Sequence, residues 1–267
     1  MRPIETSEPK LMLDLIALSP AKEPHLRLFN WLADQPDNER PLEQSLLILC
    51  TPRCGSTFFS ESLNSCGKLG FCDEWLNYDY FRAWMDVTGE KNFKLQRYLD
   101  WVSNKTLRNT GVWTLKLHIG QLLAMNQDFK MNIESMVFDH IVYMDRMDKI
   151  AQAVSMTKAA TMDQYRSTDK ATGTCDITRQ DIADALNNIV KFDMFAQKYL
   201  LKYIDAIYSY EDFCHDPAGY CNDVLYSLGK STCKPNEFKV TKLKKQSDQR
   251  NADAIEDFLN YILGDTK

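Results

Sequence analysis

Short, continuous apolar runs alternate along this chain with longer stretches of helical periodicity. SLLILC (45–50), GVWTLKLH (111–118), HIVYMDR (140–146) and AIYSYE (206–211) are the short runs and predict β-strands. Between them lie helical candidates: STFFSESLNSC (56–66), a stretch around 90–108, KIAQAVSMTKAATMDQYR (149–166), DIADALNNIVKFDMFAQKYLL (181–201) and YCNDVLYSLG (220–229). Apolar strands separated by helices predict a parallel sheet covered on both faces, which places the chain in the α/β class with three layers. Residues 1–44, with EPHLRLFNWLADQ, read as a helical lead-in, and the polar STDKATGTCDITRQ (167–180) reads as a surface loop. With no repeat and no low-complexity linker, one domain over 1–267 is the economical expectation.

Composition narrows the classes. At 267 residues, 44% apolar and 26% charged, the chain is long and apolar enough for a sizeable core. A net charge of −5 offers no broad basic field for nucleic acid, though it leaves room for a local anion pocket. The N-terminal stretch MRPIETSEPKLMLDLIALSP carries early acidic residues and lacks the unbroken apolar run of an export signal. No segment approaches the roughly 20 apolar residues of a membrane span. Eight scattered cysteines, no C-x-x-C pair and four dispersed histidines predict reduced thiols and no metal site, hence a cytoplasmic, metal-free protein.

The stretch LCTPRCGSTFFSESL (49–63) has the outline of an anion-binding loop. A strand ending in a tight turn that opens a helix aims several backbone N–H groups at one spot, where the helix dipole also favours negative charge. Gly55 lets the backbone approach closely, and Ser56 and Thr57 add hydroxyls at the first turn. Any strand-to-helix turn also favours Gly and Ser as caps, so the stretch alone has an ordinary structural explanation. A nucleoside-triphosphate loop, G-x-x-x-x-G-K-[ST], would carry Lys directly before the Ser-Thr pair. Here the order is Arg53-Cys54-Gly55-Ser56-Thr57, with the charge ahead of the glycine. One cation and no magnesium suggest a phosphosulfate.

TPRCGSTFFSESLNSCGKLGFCDEW resembles the opening of the bacterial trehalose 2-sulfotransferase family, in which a related R-x-G-S-T loop holds the 5′-phosphosulfate of 3′-phosphoadenosine 5′-phosphosulfate (PAPS). Four further stretches carry the resemblance in order. GVWTLKL is similar to G-V-x-x-x-K-L and RMDKIAQAVS to R-x-D-x-x-A-Q-A-V-S. YEDFCHDP is similar to Y-E-D-x-x-x-x-P and KKQSDQRN to a basic-Q-x-D-x-x-N tail. Together they span about 46–251. The resemblance implies a P-loop-like fold with a PAPS-binding α/β core over 45–251, a homodimer, and sulfuryl transfer to a carbohydrate or glycolipid hydroxyl.

Arg53, Cys54, Gly55, Ser56 and Thr57 would then hold the phosphosulfate, and Arg146 with Ser155, nine residues on, the 3′-phosphate. On the residues alone Arg146 could equally be a surface ion pair with Asp145 or Asp148, and Ser155 a polar helix position. Met147 and Lys149 stand where the family often has arginines. In the basic cluster TKLKKQSDQRN (241–251) the resemblance places Lys245 and Gln246 over the nucleotide, although a charge run is usually a solvated face. Tyr210 and Glu211 are expected to pack near the site. The resemblance makes Glu74, in CDEWL, the general base. His118 is the rival, two residues from Lys116 and on the same face of a strand; its ordinary pKa suits base chemistry. Lys116 could steady the sulfuryl oxygens or snorkel from the core. The aromatic, polar NYDYFRAWMD segment between Trp75 and Lys105 is a candidate acceptor surface, or core. A magnesium-dependent phosphotransferase and a non-catalytic nucleotide sensor are the competing readings.

Overall fold

Four strands pair in parallel. β1 (Gln44–Cys50) lies between β2 (Val112–His118) and β3 (His140–Asp145), and β3 carries β4 (Ala206–Ser209), giving the order β2-β1-β3-β4. The computed structural model describes residues 20–165, 173, 176–238 and 248–264. All four strands fall on the runs read from the sequence.

Strand alternation builds two cores. Leu46, Ile48 and Cys50 face one way, against Phe59 and Leu63 of α2 (Ser56–Cys66) and Val224 and Leu225 of a later helix, Pro217–Ser227. Leu47 and Leu49 face the other way, with Trp113, Leu115 and Leu117 of β2, and meet Phe29 and Leu32 of α1 (Glu23–Ala33). Burial on both faces is what a continuous apolar strand requires, and it makes the three-layer α/β arrangement. The aromatic stretch after Trp75 belongs to this second core. Trp75, Tyr80, Phe81 and Trp84 are at most 4% exposed, so they are packing residues rather than a sugar platform. Most sit on α3 (Tyr78–Thr88), which the sequence reading did not anticipate. Asn77 caps α3 by accepting from Asp79 N at 3.1 Å, and Gly89, at φ 72°, ends it.

α4 (Leu95–Thr106) lies within the helix expected around 90–108. α5 (Ile119–Phe129) follows β2 without a loop and was also not expected. α6 (Lys149–Met162) stops short of residue 166, where Asp163 turns left-handed at φ 46°. α7 (Arg179–Phe195) starts earlier and ends sooner than read, passing into a π-turn at Ala196–Leu200 and a 3₁₀ turn at Leu201–Tyr203. α8 (Tyr210–His215) and α9 (Pro217–Ser227) follow β4, and α10 (Gln249–Leu263) closes the described chain. Among the described residues no helix is long and apolar enough to cross a membrane.

Topology fixes where a ligand can sit. The chain leaves β1 for β2 on one side, whereas it leaves β3 for β4 on the other. The carboxyl ends of β1 and β3 therefore open a crevice at the point where the winding reverses. α6 rises from that crevice and is anchored from behind. Its buried Lys158 donates to Asn251 Oδ1 at 2.9 Å and lies 3.0 Å from Asp248 Oδ2 at the start of α10. The D-x-x-N part of the tail pattern is thus a clamp on α6. Lys158→Met should destabilise the fold by about 1–2 kcal/mol in urea unfolding, allowing for solvent screening at the half-exposed Asp248.

Candidate active site

The turn from β1 into α2 is built for close approach. Gly55 takes φ 88° as the N-cap of α2, and a Cβ there would meet Cδ2 of Tyr210 at 2.2 Å, so both conformation and space require glycine. Arg53 also sits left-handed, at φ 63°, which costs an L residue about 1–2 kcal/mol. The turn spans residues 52–55 and α2 begins at Ser56, which sets the first amides of the helix just past the end of β1. Gln152 of α6 braces the turn from beneath, its Nε2 donating to Thr51 Oγ1 at 2.8 Å and to the Pro52 carbonyl at 2.7 Å. Cys54 is fully buried and packs into the α2-side core, which leaves its backbone as its contribution. Ser56 is buried, and Thr57 is half-buried at the first turn of α2.

On the β3 side the arginines converge. Arg53 Nε donates to Ser155 Oγ at 3.1 Å, and its Nη1 donates to the Tyr165 carbonyl. Arg146 follows the last residue of β3 and donates from Nη1 to the Arg53 carbonyl at 3.3 Å, with its guanidinium 5.0 Å over the Tyr210 ring. Its Nε is buried and makes no hydrogen bond among the described residues; Glu211 Oε1 stands 4.0 Å away. Arg146 thus pairs with Glu211 rather than Asp145 or Asp148. Glu211 also accepts from the Met147 and Asp148 amides, at 3.0 and 3.2 Å, which fixes the β3–α6 turn. Lys149 adds no charge to the crevice, because Asp145 at 2.5 Å and Asp193 at 2.7 Å hold its ammonium. Met147 is exposed.

On the β2 side Lys116, His118 and Glu74 come together. Thr114, Lys116 and His118 alternate with the buried Leu115 and Leu117, so they project from the α2 face of the sheet. The chain before Glu74 runs beside β2: Asp73 bridges Leu115, and Lys116 N donates to the Asp73 carbonyl at 3.0 Å. Lys116 is fully buried. Its Nζ lies 3.1 Å from Glu74 Oε1 and donates to Thr57 Oγ1 at 3.1 Å. It does not snorkel; it ties the β1–α2 turn to the carboxylate. His118 Nε2 is 3.7 Å from the same Glu74 oxygen. Burial pushes the His118 pKa below its ordinary value, with Lys116 and Arg53 adding to the shift and Glu74 opposing it, so the imidazole is neutral at pH 7.

Of the expected residues the structure brings together Arg53, Gly55, Ser56, Thr57, Arg146 and Ser155 at the β1–β3 crevice, and Glu74, Lys116 and His118 beside it. Lys245 and Gln246 lie outside the described residues. Sequence reasoning passed over Gln152 and Gln121, whose amide reaches Glu74 Oε2 at 3.1 Å. The signal for Gln152 was an amide in the otherwise apolar KIAQAV; Gln121, three residues past His118, carried none. Among the described residues no group of three or more His, Cys, Asp or Glu is arranged to hold a metal ion.

A family model described as Stf0 sulphotransferase matches residues 45–260. No curated protein matches the chain at a significant level. Among solved structures it is similar to sulfotransferase STF9 from Mycobacterium avium, at 12% identity over 96% of this chain and 90% of that one, with a TM-score of 0.43. A sulfotransferase from Alicyclobacillus acidocaldarius is 13% identical over 84% and 96% of the two chains, with a TM-score of 0.41. A retinol dehydratase in complex with androsterone and the inactive cofactor PAP is 15% identical over 98% and 97%, with a TM-score of 0.38.

The lowered pKa of His118 has a signed consequence. Below the unfolded value of about 6.5 the unfolded chain takes up a proton that the folded site resists, so stability falls as pH falls. His140, whose pKa burial also lowers, adds to the same slope. Urea unfolding at pH 7.0, 6.0 and 5.5 should show this decline, and His118→Gln should make it shallower without abolishing it.

Proposed function

The chain belongs to the Stf0 sulphotransferase family and is a sulfotransferase; from that premise we propose that it transfers a sulfuryl group from PAPS to a hydroxyl of a carbohydrate or glycolipid acceptor. The observation that carries the reading is the bridge made by Lys116, whose ammonium touches both the anion-binding turn at Thr57 and the carboxylate of Glu74. A phosphosulfate lodged on the turn would have a cation and a base within one hydrogen-bonded unit.

The residues fit such a donor. The N-terminus of α2, Gly55, Ser56 and Thr57 offer amides and hydroxyls, and Arg53 supplies a charge that Ser155 and the Tyr165 carbonyl steady. The buried Arg146 Nε, unsatisfied among the described residues, suits a phosphate oxygen and supports the reading in which Arg146, with Ser155, holds the 3′-phosphate. Tyr210 closes the crevice over Gly55. When bound, PAPS supplies an activated sulfuryl group and a bisphosphate leaving group.

In this reading Glu74 accepts the proton of the attacking acceptor hydroxyl while the new S–O bond forms and the bond from sulfur to the 5′-phosphate oxygen breaks. The products are a sulfate ester, adenosine 3′,5′-bisphosphate and a proton. Lys116 and Arg53 balance the negative charge that develops on the transferred group and the leaving oxygen. His118, neutral at pH 7, is the alternative base to Glu74, with orientation of the acceptor hydroxyl as its other role in this reading.

A cavity of about 280 Å³ runs along α2 beside this cluster, lined by Thr57, Ser60, Glu61, Asn64, Phe71 and Asp73. Thr57, Ser60 and Asn64 offer an acceptor hydrogen-bonding groups there, beside the Phe71 ring. We extend the proposal to a cytoplasmic homodimer that needs no metal, with residues 45–251 as one PAPS-binding unit and Lys245 and Gln246 as further nucleotide contacts. Family membership favours this reading over a magnesium-dependent phosphotransferase or a nucleotide sensor.

Calorimetry decides the donor site. Adenosine 3′,5′-bisphosphate should bind in the presence of EDTA and in clear preference to ADP with magnesium. Arg146→Ala should weaken it by about tenfold to a hundredfold, the loss of one or two charged hydrogen bonds. Preference for ADP with magnesium would overturn the reading.

A further inference from the structure

Glu74 is held at both carboxylate oxygens, and the second holder is a residue with no part in the chemistry described above. Oε1 faces Lys116 Nζ at 3.1 Å and His118 Nε2 at 3.7 Å. Oε2 accepts from Gln121 Nε2 at 3.1 Å. Gln121 is itself clamped, because its Oε1 accepts the backbone N–H of His118 at 3.0 Å. The two partners leave no ambiguity in the amide: a backbone N–H needs the oxygen, and a carboxylate needs the NH₂. The contacts follow from register. His118 is the N-cap of α5 and Gln121 its third residue, so the side chain folds back over the helix start.

We propose that Gln121 is the positioning residue of the site, fixing the plane of the Glu74 carboxylate and setting its proton affinity. The inference rests on Glu74 being the base. One side chain reads the end of β2, the start of α5 and the carboxylate together, so the angle at which Glu74 meets an acceptor hydroxyl is set by backbone geometry. A glutamate free to rotate about its terminal bond would spend much of its time misaligned, and near-attack geometry is sensitive to such misplacement. A donor on Oε2 also favours the ionised carboxylate. Among the described residues Lys116 and His118 from β2 face Glu74, and Arg53 and Asp73 act on the neighbouring His118. Replacing the amide NH₂ with an acceptor therefore disturbs a balanced set.

Gln121→Glu separates this role from a purely structural one. The new carboxylate can still accept the His118 N–H and so preserves the helix cap, but it removes the donor to Glu74 and sets a like charge beside it. Glu74 should then titrate about one pH unit or more higher than in wild type. This is read directly by ¹³C NMR of the side-chain carboxyls, with the Glu74 signal identified by its absence in Glu74→Gln. The acid limb of the kcat/KM profile for sulfuryl transfer should move upward with it, while adenosine 3′,5′-bisphosphate affinity stays within about twofold. Gln121→Met, of similar shape and without either hydrogen bond, should lower kcat about tenfold or more and raise the Glu74 titration less than Gln121→Glu does, because it removes the donor but adds no like charge. An unchanged Glu74 titration in Gln121→Glu would overturn the inference. The NMR titration needs no turnover, so it judges Gln121 even if the chain transfers sulfuryl to no acceptor, a result that would count against the proposed function instead.

Discussion

A buried ammonium group organises this site. Lys116 lies in the middle of a fully buried strand, where an unpaired charge would cost several kcal/mol. Its head group must find oxygen partners, and it reaches two from different parts of the chain, Thr57 on α2 and Glu74 beyond the segment that borders β2. Satisfying one lysine therefore draws the β1–α2 turn and the carboxylate to within a few ångströms of each other, adding to the Asp73–Leu115 bridge that sets the preceding residue beside β2.

The other half of the crevice is fixed by topology rather than by a single charge. Because the winding reverses between β1 and β3, the turns that follow these two strands open toward each other. Arg53 sits on one turn and Arg146 beside the other, and their contacts with Ser155, Tyr165 and Glu211 preorganise both guanidinium groups before any ligand arrives. Lys158 and its partners on α10 hold α6, and so Ser155, at the correct height. The site thus joins a half built by charge satisfaction to a half built by strand order.

The sequence made the sheet readable because buried parallel strands leave continuous apolar runs, and all four strands fell where those runs lie. The loop was readable from Gly55, whose backbone no other residue could adopt without striking Tyr210. Aromatic content left two readings open, a surface for sugars or core, and Trp75, Tyr80, Phe81 and Trp84 form core, since large rings bury much apolar area. α5 was missed because it starts on the residue after β2, with no turn residues to announce it. Gln121 and Gln152 were missed for a related reason. Each acts through partners far away in sequence, 47 residues for Gln121 with Glu74 and 101 for Gln152 with Thr51, and a local pattern such as KIAQAV can flag an amide without naming its partner.

Lys116 links the β1–α2 turn to the carboxylate proposed as the base. The most direct measurement is transfer of ³⁵S-labelled sulfuryl from PAPS to a panel of mono- and disaccharides by wild type and by Lys116→Met, with the folded fraction of each checked by circular dichroism. Wild type should label at least one sugar. Lys116→Met, folded and still binding adenosine 3′,5′-bisphosphate, should lose about a hundredfold to a thousandfold in rate, as expected for removal of a preorganised charge at a transferring group. Undiminished transfer by folded Lys116→Met would contradict the account.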